Sequence, residues 1–180
     1  MAQELVWLDL EMTGLNPKKH RIIEIASIIT DSELNIIAEG PDLVIHAQDE
    51  ILERMNDFVH EMHRSSGLIE EVKNSKISIE EAEKETLSFL SRHTEKGRSP
   101  LCGNTISHDR RFLVRYMPEL SAFFHYRNVD VSSLKEVVKR WHPHLADGYK
   151  KQGGHRAMAD VIDSINELKY YKNHLFIPES

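Results

Sequence analysis

The sequence of 180 residues is poor in cysteine and has no long apolar run, and each absence excludes a class of protein. Cys102 is the single cysteine, so an intramolecular disulfide is impossible and nothing indicates secretion. No stretch approaches the roughly 18 consecutive apolar residues that a membrane-spanning helix needs. The first residues also lack the basic character of a targeting segment. We therefore expect a cytoplasmic protein.

Positive charge is scarce as well. The chain has 29 acidic residues against 23 lysines and arginines, which gives a net charge of −6. A protein that binds long nucleic acid through many phosphates is usually basic, so any nucleic-acid contact here is expected to be small. We find no internal repeat, low-complexity tract or linker, and the length suits one domain with a substantial core. The sequence thus predicts a single domain over residues 1–180.

The order of predicted elements is typical of an α/β domain with a mixed sheet, because strands come first and then alternate with helices. The predicted strands span residues 5–12, 22–30, 36–45, 100–103 and 129–131. The predicted helices span residues 78–93, 107–116, 132–141 and 156–174. Gly40-Pro41 indicates a bulge or bend in the third strand. Ser78 opens its helix with the spacing of a capping box, and Ser132 is the candidate N-cap of a later helix.

The first strand, VWLDLEM, carries two carboxylates among large apolar side chains. Because side chains alternate along a strand, Asp9 and Glu11 share one face with Trp7. Burying a charge without a partner is costly. We therefore expect something positive to meet these two acids.

Two further acids stand near the starts of predicted helices. Taken alone, Asp109 is explained by the favourable interaction of an acid with the helix dipole. Asp160 follows Gly153-Gly154-His155, and a lone histidine in such a place is usually structural or exposed. Five residues separate His155 from Asp160, or about 140° on an ideal helix, so the two converge only if His155 belongs to the loop. The glycine pair makes that loop adaptable.

Together these segments form a pattern of three motifs in order, which resembles the DEDDh family of exonucleases. The motifs are Asp9-x-Glu11, residues 104–109 and residues 155–160. Connecting segments narrow the resemblance to the branch of this family that degrades very short RNA. These segments are residues 7–15, 102–104, 109–112, 116–120, 124–127, 130–132 and 151–153. The resemblance implies an α/β, ribonuclease H-like exonuclease fold with a central mixed sheet of about five strands flanked by α-helices.

The resemblance implies that four acids bind two divalent cations, Mg²⁺ or Mn²⁺. They are Asp9, Glu11, Asp109 and Asp160. Two carboxylates about 4 Å apart repel by roughly 4 kcal/mol at an effective dielectric of about 20, and hard oxygen donors favour these ions. His155 is implied as the general base, a task that suits imidazole near neutral pH. The implied reaction is two-metal hydrolysis of short single-stranded RNA, above all dinucleotides, from the 3′ end to nucleoside 5′-monophosphates.

The resemblance also implies contacts to the bases of the substrate. Leu15 corresponds to an apolar wedge between two bases, although by itself it would be interpreted as a core leucine. Phe58 stands where related sequences usually have tryptophan, and it can still stack on a base. His63 and Thr105 match positions close to the bound nucleotide.

A further implied contact is a cap on the terminal 5′ phosphate. It consists of His125-Tyr126-Arg127 and Ser132, with Tyr126 and Arg127 reaching over from the second subunit of a homodimer. Arginine suits a phosphate because its fork donates two parallel hydrogen bonds. Packing between subunits is the simpler role for His125 and Tyr126, and the two residues can serve both in packing and in the cap.

Three other functions are weighed against this interpretation. In an aspartyl phosphatase Asp9 would attack phosphorus, but such enzymes favour a second aspartate where Glu11 stands and do not need His155. A catalytically idle RNA-binding module normally has a damaged metal site, whereas the four acids and His155 are all present here. A related DEDDh exonuclease that trims longer RNA 3′ ends or proofreads DNA shares the motifs, and only the connecting segments argue against it.

Overall fold

A computed structural model describes residues 4–151 and 153–176. Residues 1–3, 152 and 177–180, which include part of the segment 151–153, lie outside the described residues. Three long strands open the chain and two short ones follow. They are β1 (Leu5–Met12), β2 (Ile22–Thr30), β3 (Ile36–Val44), β4 (Leu101–Gly103) and β5 (Asn128–Asp130). They form one sheet in the order β3-β2-β1-β4-β5.

The sheet is mixed, as predicted. Strand β1 runs antiparallel to β2 and parallel to β4, β3 is antiparallel to β2, and β5 is parallel to β4. The helices follow the third strand. They are α1 (Asp49–Leu52), α2 (Asp57–Ser65), α3 (Leu68–Asn74), α4 (Ile79–Leu90), α5 (Ser107–Tyr116), α6 (Pro118–Phe123), α7 (Val131–Trp141), α8 (Pro143–Ala146) and α9 (Ala157–Leu175). None of these helices is both long and apolar enough to cross a membrane, over the part of the chain that is described. The extent of the predicted domain, residues 1–180, stays a prediction.

The two faces of the sheet carry separate apolar cores. Val6, Leu8 and Leu10 of β1 pack with buried residues of α4, α5 and α6. Trp7 points to the other face, where the buried residues of α7, α8 and α9 cover it, and its Nε1 donates to Thr30 Oγ1 at 3.0 Å. The alternation predicted for β1 is therefore confirmed. It sends the side chains of the two acids that follow Trp7 toward the face that α9 covers.

Local signals in the sequence are mostly reproduced. β1, β2 and α5 have the predicted bounds. The pairing of β3 with β2 shifts between Ala26 and Ile28, opposite Gly40-Pro41, as expected for a bulge. Ser78 and Glu81 form the predicted capping box of α4.

The predicted start of α7 is wrong. The N-cap is Asp130, not Ser132, because the Asp130 side chain at the end of β5 accepts a hydrogen bond from Ser132 N at 3.0 Å. Helices α1 to α3, α6 and α8 were not expected. The first three of these surround a smaller core, in which Ile23 of β2 meets Leu52, Leu68 and Val72.

Candidate active site

The end of β1 and the first turn of α9 place three carboxylates together. One oxygen from each of Asp9, Glu11 and Asp160 lies within 4.8 Å of the other two. Glu11 is buried, and Asp9 and Asp160 are partly buried. Strand alternation supplies the first pair, and α9, which covers the same face of the sheet, brings in Asp160.

The fourth predicted acid, Asp109, reaches the same region from the first turn of α5. Its side chain is buried, and Oδ1 accepts a hydrogen bond from Leu10 N at 3.0 Å. This bond joins Asp109 to the strand between Asp9 and Glu11. Asp109 is not part of the group of mutually close oxygens found among the described residues, but its charge acts on both Asp9 and Glu11.

Burial raises the pKa of all four acids, and repulsion within the group adds to the shift for Asp9 and Glu11. For Asp9 the pKa lies well above its usual range, because of burial first and then the charges of Asp109, Glu11 and Asp160. Burial, followed by the charge of Asp160, raises the pKa of Glu11 to about 8, and burial raises the pKa of Asp109 to about 7. Burial also raises the pKa of Asp160. These carboxyl groups cannot all ionise unless positive charge is bound near them. This fits a site for divalent cations that prefer hard oxygen ligands.

His155 lies in the loop before α9, as its spacing from Asp160 requires. The helix begins at Ala157, and His155 has a φ of +49°, in the left-handed region. Gly153 and Gly154, with φ values of +71° and +151°, allow the chain to turn there. The exposed imidazole lies near enough for its charge to act on Asp160.

A cavity of about 630 Å³ opens between this loop and α2, lined by His155 and Phe58 among others. Phe58 is 76% exposed, so its ring is free to stack on a planar group. Leu15, which follows the first motif, is 66% exposed, and its interpretation as a core leucine is therefore wrong. The two apolar side chains are available to a ligand rather than used in the core.

His63 lies on the inner side of α2 and is fully buried. Its Nε2 lies 3.0 Å from the carbonyl oxygen of Met12, which can only accept, so Nε2 carries the proton. Nδ1 faces Glu11 Oε2 at 3.9 Å and has no hydrogen-bond partner among the described residues. Burial lowers the pKa of His63. The ring therefore stands behind Glu11 as a neutral group.

Thr105 and Ser132 meet at the carboxyl ends of β4 and β5. Thr105 has a φ of +50°, and its N–H donates to Asp130 Oδ1 and Ser132 Oγ, each at 3.0 Å. The Ser132 hydroxyl donates in turn to Asn104 Oδ1 at 3.0 Å. Both residues are thus fixed at a polar edge of the sheet, beside the strand end that carries Asp130.

The other predicted cap residues, His125-Tyr126-Arg127, form a surface loop before β5. Tyr126 is 74% exposed, and the guanidinium carbon of Arg127 lies 5.3 Å from the centre of its ring. Arg110 of α5 holds the loop in place, since its Nε donates to Asn128 Oδ1 at 2.9 Å and its Nη2 to the carbonyl of His125 at 2.8 Å. Arg110 is a residue whose role was not foreseen.

Glu24 was also missed. It lies directly opposite Glu11 in the pairing of β1 with β2 and is fully buried. Its carboxylate accepts hydrogen bonds from Arg156 Nε at 2.8 Å and Ala157 N at 3.0 Å. The signal was present in the sequence, because Glu24 is the only charged residue in the otherwise apolar or small stretch IIEIASIIT.

Comparisons with known proteins agree with this geometry. A family model described as Exonuclease matches residues 6–168. Oligoribonuclease from Marinobacter nauticus is 59% identical over 175 residues, which cover 97% of each chain. Oligoribonuclease from Vibrio parahaemolyticus is 56% identical over 174 residues, covering 97% of this chain and 96% of that protein. E. coli exonuclease I in complex with a dA16 oligonucleotide has a similar fold, with a TM-score of 0.72 at 19% identity over 96% of this chain and 41% of that one.

Proposed function

The chain belongs to the exonuclease family, and we propose that it is an oligoribonuclease that hydrolyses very short RNA from the 3′ end to nucleoside 5′-monophosphates. The close grouping of Asp9, Glu11 and Asp160 carries the proposal, because it supplies the charge that a phosphodiester-cleaving metal site needs. The near full-length likeness to oligoribonucleases supports the substrate class.

The residues fit two divalent cations, Mg²⁺ or Mn²⁺. In this proposal Asp9, Glu11 and Asp160 hold them, with Asp109 as the fourth ligand. The fit rests on the all-oxygen donor set and on carboxyl groups whose pKa values are raised by burial and repulsion. When bound, the cations would supply a nucleophilic water and charge stabilisation at the scissile phosphate.

The remaining chemistry belongs to side chains around the carboxylates. His155 accepts a proton from the attacking water, and its place in an exposed loop lets the imidazole release that proton to solvent. Phe58 stacks on a base across the cavity, and Leu15 wedges beside it. Thr105, which is exposed, completes the wall near the nucleotide, and the buried His63 supports Glu11 from behind.

The preference for short chains comes from a cap on the 5′ phosphate. We assign it to Ser132 together with Tyr126 and Arg127 from a second copy of the chain, so the active form is a homodimer. The exposure of Tyr126 supports this, and so does that of Trp141 at the end of α7, each at 74%. A cytoplasmic location completes the proposal and agrees with the single, buried Cys102.

The other candidate functions are less well supported. The family match over residues 6–168 sets aside an aspartyl phosphatase. An idle binding module has no use for Asp9, Glu11 and Asp160 held close together at a cost to stability. An exonuclease for longer RNA or for DNA shares the fold, as E. coli exonuclease I does, but at 19% identity rather than 59%.

One assay separates these functions. The protein is incubated with Mn²⁺ and 5′-labelled RNAs of two to about twenty nucleotides, and with DNA of the same lengths. We expect the fastest hydrolysis for dinucleotides and none after treatment with a chelator. Equal rates at all lengths would indicate a general trimming enzyme, and binding without hydrolysis would indicate an idle module. Full activity in the chelator would refute the metal assignment.

A further inference from the structure

Arg156, the residue directly after His155, joins three parts of the molecule. Its Nε and Nη2 each approach Glu24 Oε1 on β2 at 2.8 Å. Its Nη1 and Nη2 donate to the two carboxylate oxygens of Glu71 on α3 at 2.9 and 2.8 Å. Arg156 is itself the N-cap residue of α9. One guanidinium therefore connects the sheet, the α2–α3 pair and the end of the His155 loop.

The Glu24 contact is buried. The side chain of Glu24 is inaccessible to solvent, and that of Arg156 is 29% exposed. The second oxygen of Glu24 accepts the N–H of Ala157 at 3.0 Å, so this carboxylate binds both the side chain of Arg156 and the first residue of α9. A buried carboxylate with charge-assisted hydrogen bonds on both oxygens fixes the geometry of its donors closely.

The loop needs such fixing at His155. A φ of +49° is rare for a residue other than glycine and persists only where the surroundings determine it. On the preceding side, Gly153 N donates to Asp163 Oδ2 at 3.3 Å. On the following side, the two ion pairs of Arg156 hold the chain. His155 thus stands between two anchors, and the second is the stronger because it is charged on both sides.

We propose that Arg156 is a positioning residue that fixes the backbone of His155 and so keeps its imidazole beside the carboxylates. This inference rests on the proposed function, in which His155 takes the proton of the attacking water. Arginine suits the task because its planar fork serves Glu24 and Glu71 together, whereas a lysine ammonium is a single point charge without that geometry. The Glu71 contact also links the residue after His155 to the α2–α3 pair, which carries Phe58.

The first experiment compares steady-state hydrolysis of a dinucleotide at saturating Mn²⁺. We expect Arg156→Gln to lower kcat by about 10- to 100-fold with little change in KM, because a small displacement of the base slows the reaction without weakening substrate binding. The kcat of Arg156→Lys should lie between that of Arg156→Gln and that of the wild type. Arg140→Gln is the matched control, since Arg140 forms an exposed ion pair with Glu136 on α7. An unchanged kcat in Arg156→Gln would overturn the proposal.

The second experiment tests whether Arg156 acts through His155. In a His155→Ala background, Arg156→Gln should lower the residual kcat by less than about 3-fold, because the imidazole that Arg156 positions is already gone. An equal loss in both backgrounds would mean that Arg156 acts on the metal ligands or on the fold, and would refute the proposal. If Glu24 left without its partner prevents folding, the double variant Glu24→Gln/Arg156→Gln avoids the unpaired charge and replaces the single one.

A third measurement does not depend on activity. In protein labelled with ¹³C-histidine, the imidazole resonance of His155 is identified by its loss in His155→Ala. We expect it to shift or broaden in Arg156→Gln and to stay unchanged in Arg140→Gln. An unmoved resonance would overturn the positioning role. A wild-type protein that fails to hydrolyse dinucleotides would instead refute the proposed function, and the resonance would still decide the role of Arg156.

Discussion

Asp9, Glu11, Asp109 and Asp160 are residues whose charges oppose folding when no cation is bound. Each is raised in pKa by burial, and repulsion within the group adds to the shift for Asp9 and Glu11. The folded protein therefore stores an unfavourable interaction at the place where the reaction is proposed to occur. A site optimised for stability would replace at least one of these acids, so stability and activity are expected to move in opposite directions here.

Asp9→Asn tests this opposition directly. The amide keeps the shape of the side chain but removes one charge from the centre of the group, so we expect the metal-free variant to gain about 1 kcal/mol in free energy of unfolding. Hydrolysis should be lost, because a metal ligand is lost. Urea unfolding in a chelator and the dinucleotide assay measure the two effects. Asp49→Asn, which changes an exposed residue of α1, is the control. It should change neither the free energy of unfolding nor the rate of hydrolysis by much.

Asp160→Ala should likewise abolish hydrolysis while the fold survives. A variant of Asp9 or Asp160 that is active in the presence of Mn²⁺ would contradict the assignment of that residue as a ligand.

The pH dependence of stability follows from the same shifts. In the folded state the pKa of Glu11 is about 8 and that of Asp109 about 7, against usual values of 4.5 and 3.8. The folded protein then binds protons that the unfolded chain has released, so the stability contributed by these groups is present at low pH and is lost as pH rises through about 7 to 8. We expect the metal-free free energy of unfolding to fall between about pH 6.5 and 8.5.

This pH range avoids an opposing effect. Burial lowers the pKa of His63, so its protonation favours the unfolded chain only below about pH 6.5. Urea unfolding at several pH values, with a chelator or with Mg²⁺, measures the trend. Mg²⁺ should stabilise more at the high end, because it binds the ionised carboxylates. Metal-free stability that does not fall with pH over this range would show that the carboxyl groups ionise normally, and Asp9→Asn should give a flatter curve than the wild type.

At the scale of elements, prediction from sequence succeeded where one local signal decides the structure. The alternation in β1, the capping box of α4 and the bulge at Gly40-Pro41 each depend on a few neighbouring residues. Helices α1, α3, α6 and α8 have only four to seven residues, and packing against the rest of the chain stabilises them rather than their own pattern. The N-cap of α7 was predicted wrongly for another reason: its hydrogen bond is local, but Asp130 was expected to lie inside a strand.

The candidate site likewise contains residues that the sequence predicted and residues that it did not. The motifs indicated the acids and His155, because such residue types in that order are rare by chance. The residues that hold the site and the loop before β5, Arg110, Glu24 and Arg156, were missed because their partners are 15 to 133 positions away in sequence. A hydrogen bond between distant residues leaves little trace in a single sequence. Of these three, only Glu24 had a visible signal, as a charge inside a buried strand.

Helix α2 provides a prediction at this scale. It presents Phe58 to the cavity on one side and buries His63 on the other. Phe58→Ala should raise KM for a dinucleotide by about 5- to 150-fold, which corresponds to the loss of roughly 1 to 3 kcal/mol of stacking, and should leave kcat less affected. Phe58→Trp should lower KM, since indole offers a larger face. Because Phe58 is exposed, neither change should shift the melting temperature much, and an unchanged KM in Phe58→Ala would remove the stacking role.

At the scale of the whole molecule, the proposed cap is the part that one chain by itself does not explain. Tyr126 and Arg127 stand on the surface, held by Arg110, while the carboxylates lie at the end of β1. The proposed homodimer, in which each subunit caps the other's site, would explain why the loop is held by hydrogen bonds and yet exposed. Arg127→Ala should then reduce kcat/KM for 5′-phosphorylated dinucleotides by about 10- to 100-fold, the loss expected for a charge-assisted hydrogen bond, and reduce it less for a ten-nucleotide RNA.

Mixed dimers decide whether Arg127 acts across the interface. The Asp9→Asn subunit keeps an intact cap but no working metal site, and the Arg127→Ala subunit keeps the metal site without the cap. If the cap comes from the partner, a dimer with one subunit of each kind contains one complete site and should recover about half the wild-type dinucleotide activity. The two variants are co-expressed with different affinity tags, and the doubly tagged dimer is purified and assayed. If Arg127 serves its own subunit, every site in that dimer is damaged and no recovery follows, while an unchanged chain-length profile in Arg127→Ala alone would mean that the loop is not a cap at all.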